Sequence, residues 1–390
     1  MIIFSCFFRR RDITVRALWI IALVSIQGCK TFTENHEPAA QQKLILHREW
    51  ATPITNSIKG IGGVSEAKTG LFVSSSEFVI PSLDHEKDKR ITHSRSDIRI
   101  ADCSLQGQIL AAPATGGKLY YFGRAGEPAK NIYIPWARSV QAVAVSKTGT
   151  LGVAVVEPMK PSLSGKRIVI IDLKSQKVLR ATAMPSGGFP FVLSWGSSPQ
   201  SQKLLVVGTP SSNAGVLNVI NLSAVELGVE GRITASAWVG ERLAIGTFEG
   251  IIYLYDKNLN KLGRVKKDLG GRIDAIISSK SGHYFMVLVQ SRELGPEFSQ
   301  RPLIFRSSDG QLCFRSNWTD SDVRSVSEFK DSWLLLTKRG SLILIETSAG
   351  DFWLSSSAQV SGDLLSAFLI EKGLVVYSAD AKTIYTYRTD

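Results

Sequence analysis

Residues 140–146 read VQAVAVS, 233–239 read ITASAWV, 273–279 read IDAIISS and 323–329 read VRSVSEF. Each opens on a β-branched apolar residue and continues with small residues set among further apolar ones. Weaker copies begin at Ile58, Ile98, Phe189 and Leu364. In chain order the eight starts lie 40, 42, 49, 44, 40, 50 and 41 residues apart. So regular a return marks a structural repeat. From Lys43 onward the pattern is of short β-rich runs broken by Gly, Ser, Asn and Asp, with no amphipathic helix.

Each unit carries a second strong strand: FVIPSL from Phe78, KLYYFG from Lys118, RIVIIDL from Arg167, VLNVINL from Val216, IIYLYDK from Ile251, PLIFRSS from Pro302, SLILIET from Ser341 and TIYTYRT from Thr383. A four-stranded unit of about 40–45 residues is the period of a propeller blade. One such sheet cannot bury both faces alone, whereas a ring of them covers every face and hides nearly all edges. The chain is therefore expected to be all-β, a β-propeller of eight four-stranded blades. Seven is the alternative, because units one and four are degenerate. Ala142, Ala144, Ala235 and Ala275 suit an innermost strand crowded against a central channel. The last unit stops after its third strand, so KLILHREW, residues 43–50, is expected to supply the fourth and close the ring.

The two longest units contain EPMKPSLSGK at 157–166 and SRELGPEFSQR at 291–301. Both are expected between the second and third strands of their blades, where such loops share one face. Met159, Lys160, Leu163, Arg292, Leu294 and Phe298 give them an apolar centre with basic flanks. That is the chemistry of a partner-binding loop, the other reading being a tolerated surface insertion.

AIGTFEGIIYLYDKNLNKLG, residues 244–263, resembles the second and third strands of a WD-repeat blade, with Tyr255-Asp256 standing where Trp-Asp would be. VAVSKTGTLGVAVV and IISSKSGHYFMVLV resemble the first turn of such blades. The Gly-His pair of the family is absent from nearly every unit, and His283 falls inside a first hairpin. The resemblance covers about 330 residues and extends to bacterial propellers of the quinoprotein-like type and to the barrel-assembly lipoprotein.

Ahead of the repeats stands ALWIIALVSIQGCK, residues 17–30, preceded by Arg9, Arg10, Arg11 and Arg16. The apolar run is too short to span a bilayer, which needs roughly 20 residues, and it has the layout of a secretory signal. Ile26-Gln27-Gly28-Cys29 resembles the lipobox of bacterial lipoproteins. That resemblance implies a signal peptide over 1–28, acylation of Cys29 with the fatty chains of such anchors (palmitate among them), a flexible tether over 29–42 and the propeller over 43–390. An ordinary signal peptide with an incidental cysteine is the alternative. Lys30, not being aspartate, points to the outer membrane with the propeller facing the periplasm; the inner membrane and cell surface remain alternatives.

The net charge of +12 falls to +9 once residues 1–28, with four Arg and one Asp, are removed. It is spread along the chain, with no Lys/Arg block longer than three. Nucleic acid is not an expected partner, and a mild attraction to anionic head groups is. Of the four cysteines, Cys103 and Cys313 are expected as small buried thiols.

The residues make no persuasive case for any of four kinds of chemistry. The histidines His36, His47, His85, His93 and His283 make no two-His ligand motif, and His85 beside Asp84 and Glu86 reads as a solvated loop. No G-x-S-x-G elbow is present. SSDGQLCF, residues 307–314, falls one residue short of a glycosidase Asp box and reads as a type I turn. IETSAGDFWLSS, residues 345–356, resembles the docking repeat of quinoprotein-like propellers through Gly350 and Trp353. The cysteine pair of the quinone dehydrogenases is missing, so no cofactor and no metal are expected. The function expected is a monomeric protein-interaction scaffold with envelope protein partners. A periplasmic enzyme or small-ligand binder of unrecognised class is the alternative.

Overall fold

The computed structural model describes the strands from His47 to Arg388 and most connections between residues 98 and 359. Residues 1–46, 389–390 and several connections, among them 54–59, 160–164 and 292–298, lie outside the described residues. The signal segment, Cys29 and the tether are therefore not described.

Among the described residues every regular element is a strand, and the strands form eight four-stranded antiparallel sheets. Their first strands are Gly60–Val64, Ile98–Cys103, Ala137–Val145, Phe189–Trp195, Ile233–Val239, Gly271–Ser278, Val323–Phe329 and Leu364–Ile370; the sheets are numbered one to eight in that order. The repeat starts read from sequence fall within three residues of these strand starts. In sheets one to seven the four strands pair in chain order. In sheet eight the fourth strand is His47–Pro53, which pairs antiparallel with Thr383–Arg388. It overlaps the expected segment 43–50, of which residues 43–46 lie outside the described residues.

The inner strands of sheets two, three, five and six read as apolar runs because neighbouring sheets cover both of their faces. Alternate residues of one strand feed two cores. Ile109 and Ala111 pack with Phe78 of sheet one, while Leu110 and Ala112 pack with Val140, Ala154 and Val156 of sheet three. Tyr253 and Tyr255 face Val216 and Leu227 of sheet four, while Ile252 and Leu254 face Ile273, Phe285 and Val287 of sheet six. Met286, Leu288 and Ile304 meet Trp333, Leu335 and Ile345 across sheets six and seven. Each fully buried side chain of this kind is worth roughly 1.5–3 kcal/mol. From sheet one to sheet eight every sheet contacts the next. This is the packing of a β-propeller.

A β-bulge recurs near the start of the first strand. Register shifts bracket Arg99, Gln141, Phe191, Thr234, Asp274, Arg324 and Leu365, each opposite the end of the second strand. A bulge tightens local twist, which suits strands converging toward an axis.

The turns explain the WD-like segments. Ser146 accepts from the Leu151 N–H at 3.0 Å while the Gly149 N–H donates to its carbonyl at 2.8 Å. Ser279 repeats this with Tyr284 and Gly282, and Ser104 with Gln108 and Gly107. The Asp of Tyr255-Asp256 stops the third strand: its carboxylate accepts from the N–H groups of Asn258 and Asn260, both at 2.8 Å. Asp172 does the same with Lys174 and Ser175, and these donors hold its carboxyl below the usual range. The expected type I turn at SSDG is a longer one, closed by the Gly310 N–H to the Arg306 carbonyl at 2.9 Å with Gly310 left-handed. Three residues between Arg306 and Gly310 are what the run of Ser307, Ser308 and Asp309 allows.

Candidate interaction face and its cleft

First strands of neighbouring sheets are bonded side by side. Asp102 accepts from the Val145 N–H at 2.7 Å, Ser325 accepts from the Ala367 N–H at 3.1 Å, and the Thr234 hydroxyl donates to the Ile273 carbonyl. Counted from the unit starts, the bonded residues differ by one position. These strands therefore run in one direction at one height, and their beginnings lie on one face. Second strands end and third strands begin on that same face.

In sheets five and seven the second-to-third connection is a tight Thr-x-x-Gly turn. Thr247 accepts from the Ile251 N–H at 3.2 Å and Thr337 from the Ser341 N–H at 3.0 Å, and both threonines are fully buried. Sheets three and six have eight residues there, 159–166 between Pro158 and Arg167, and 292–299 between Ser291 and Gln300. Of the residues singled out in these connections, Met159 is described and is 56% exposed. Lys160, Leu163, Arg292, Leu294 and Phe298 lie outside the described residues.

In sheet three Ser139 donates to Glu157 at 3.1 Å, and burial holds the Lys166 ammonium below the usual lysine value against the opposing pull of Glu157. In sheet five Phe248 stands exposed in its turn with the Arg232 guanidinium 5.7 Å from the ring centre. Glu249 holds the Arg232 N–H at 3.0 Å.

Between sheets six and seven the face opens into a cleft of about 360 Å³ lined by Arg272, Asp274, Gln290, Gln300, Asp322, Val323 and Lys338. The bulge at Asp274 turns its carboxylate to Arg272 Nε at 2.5 Å and to Gln300 Nε2 at 2.7 Å. Gln300 Oε1 accepts from the Val323 N–H at 2.8 Å, bridging the two sheets. Lys338 pairs with Asp322 Oδ2, while Asp322 Oδ1 is buried without a protein donor. The sequence reading missed this cleft. Its residues sit at strand ends spread over residues 272–338, and no local motif joins them. The polar residues just ahead of the unit starts, Arg232, Arg272 and Asp322, were the available signal.

The other sites considered lie elsewhere. Among the described residues no His/Cys/Asp/Glu group has the geometry of a metal site, and His283 is an exposed turn residue. In the docking-like repeat, Ala349 and Gly350 form a two-residue left-handed hairpin turn and Trp353 is exposed on the outermost strand. Cys313 is free and half-buried, less enclosed than expected, because it sits on the short outer strand Leu312–Arg315; burial raises its thiol pKa. The first strands carry Ala142, Ala144, Ala235 and Ala275 as expected, but their bulges add Arg99, Gln141, Asp274 and Arg324.

No family model matches the chain, and no curated protein matches it. A chain from the crystal structure of a mitotic checkpoint complex superposes with a TM-score of 0.54 at 13% identity, over 91% of this chain and 99% of that one. At that identity the likeness shows the fold, an all-β, WD-repeat-like propeller.

Proposed function

We propose that the protein is a monomeric, lipid-anchored propeller of eight blades, closed by His47–Pro53, that serves as an interaction scaffold for protein partners in the cell envelope. The observation that carries the scaffold reading is the contrast on one face. Sheets five and seven close it with Thr-x-x-Gly turns, whereas in sheets three and six eight residues join the second strand to the third, and Met159 and Phe248 are exposed. Exposed apolar side chains among cations such as Arg232 and Lys338 are the composition of a docking surface. The solved neighbour was likewise crystallised within a complex. The reading is of a binding protein, not an enzyme.

Anchoring rests on Cys29 after its short apolar run, and Lys30 favours an outer-membrane anchor with the ring in the periplasm. Two experiments test the reading. Cys29→Ala should abolish lipid attachment and membrane partitioning; unchanged mass and partitioning would refute the anchor. Replacing 159–166 or 292–299 by a two-residue turn should leave folding intact and weaken capture of the same envelope protein. Retention of every wild-type partner by both shortened proteins would refute this face as the docking surface.

A further inference from the structure

The outer strands of sheets three and five break register at a corresponding position. In Lys177–Ala183 the bulge falls at Leu179, opposite Ile170 and Ile171; in Lys261–Lys266 one falls at Leu262, opposite Leu254 and Tyr255. Each lies just after an Asp-capped turn, at Asp172 and at Asp256. A bulged residue has no partner across the pair and its side chain is re-aimed. Both leucines stand in solvent, 51% and 52% exposed. In the sheet between them, Val225 is 47% exposed at the second residue of Ala224–Gly228. Lys261 Nζ donates to the Gly228 carbonyl at 3.2 Å, joining the outer strands of sheets four and five. Three consecutive sheets thus each expose an apolar side chain on the outermost strand.

Charge and register narrow what covers this ridge. The three strands carry Lys177, Arg180, Lys261, Arg264 and Lys266 against a single acid, Glu226. Like charge opposes a second copy of the same ridge. The bulges interrupt the edges at Leu179 and Leu262, so an added β-strand has no continuous ladder to follow. The occupant that fits is anionic, broad, free of any register and apolar beneath its surface. A bilayer bearing anionic phospholipid has these properties, because leucine enters the boundary between head groups and acyl chains while basic side chains stay at the phosphates.

We propose that the outer strands of sheets three to five form a membrane-docking ridge that seats Leu179, Val225 and Leu262 against anionic phospholipid. The ridge goes beyond the scaffold reading and does not depend on the Cys29 anchor.

The test uses full-length Cys29→Ala protein, so that no acyl chain on that thiol contributes. It is sedimented with vesicles of phosphatidylcholine, alone or mixed three to one with phosphatidylglycerol. Binding to the mixed vesicles should be at least tenfold tighter than to the neutral ones, and should weaken as NaCl rises from about 0.05 M to about 0.5 M. The double variant Leu179→Ser, Leu262→Ser should bind the mixed vesicles at least fivefold more weakly, and Lys177→Glu at least threefold more weakly. Trp353→Ser is the control. Trp353 is 40% exposed on the outer strand Asp351–Gln359, which carries Asp351 and no cation, so its loss should leave binding at the wild-type level. Melting curves identify any variant that fails to fold, and Lys177→Glu stands in should the leucine variant do so. Equal binding to the two vesicle types overturns the proposal, as does binding unchanged in the folded leucine variant or in folded Lys177→Glu protein. A loss in Trp353→Ser equal to that of the leucine variant also overturns it. So does self-association without vesicle binding, abolished by the leucine substitutions, which would assign the ridge to a second copy. Partitioning of the acylated protein and partner capture are separate measurements, so failure here leaves the anchor and the scaffold reading standing or falling on their own.

Discussion

The carboxylate of Glu328 in sheet seven accepts the Lys280 N–H of sheet six at 2.7 Å, and its other oxygen accepts the Asp331 N–H at the same distance. Two donors favour the ionised form, yet burial dominates and raises the Glu328 pKa above the usual glutamate value. A raised carboxyl contributes stability that is complete below its unfolded pKa and is lost as pH rises through the folded one. Denaturant melts from about pH 4, near the unfolded glutamate value, up to pH 7 should therefore show a wild-type advantage over Glu328→Gln that shrinks as pH rises. A constant difference across that range would refute the assignment.

Thr247 and Thr337 each fill a buried turn position and satisfy a backbone N–H through their hydroxyls. Valine keeps the shape and removes the acceptor. Thr247→Val and Thr337→Val should each cost about 1–3 kcal/mol in urea unfolding. The two lie in different sheets, so the double variant should be additive within about 0.5 kcal/mol.

Gly282 tests the contact between sheets five and six. A Cβ there would lie 2.7 Å from the Gly240 Cα, and its φ is +72°. Gly165 is also left-handed, at φ +93°, but a Cβ there meets nothing within 4 Å. Gly165→Ala should cost only the backbone penalty of about 1–2 kcal/mol. Gly282→Ala should cost clearly more, because backbone has to move. Equal melting temperatures would show that the sheets yield there freely.

Deleting residues 47–53 should strip the partner from Thr383–Arg388 and expose a sheet edge. At about 1 kcal/mol per backbone hydrogen bond, the loss is several kcal/mol. Thermal melting checks this, and light scattering checks the expected self-association. A truncated protein with the wild-type melting temperature would refute the clasp.

The strand plan was legible because propeller sheets bury both faces. Runs such as IVII in RIVIID and IIYLY carry no charged residue, and Val140, Ile233 and Ile273 repeat near the start of their first strands. Sheets one and four were hard to read because Gly60–Val64 is mostly glycine and Phe189–Trp195 contains Pro190, both poor strand signals. The pairing of the HREW half of KLILHREW with Thr383–Arg388 was legible because the last unit supplies only three strands of its own. The cleft was illegible for a different reason. Arg272, Gln290, Gln300, Asp322 and Lys338 come from five strand ends in two sheets, and only the packing of those sheets brings them together.

The bulge near the start of the first strand in sheets two to eight has a consequence for ancestry. With the extra residue at Gln141, Thr234, Asp274 and Arg324, each of these units carries its own bulge within its own first hairpin. A segment duplicated or lost in frame would bring its twist and both of its contact surfaces with it. The circumference can then grow or shrink by whole modules without repair of those that remain, which makes blade number the cheapest thing for such a gene to change.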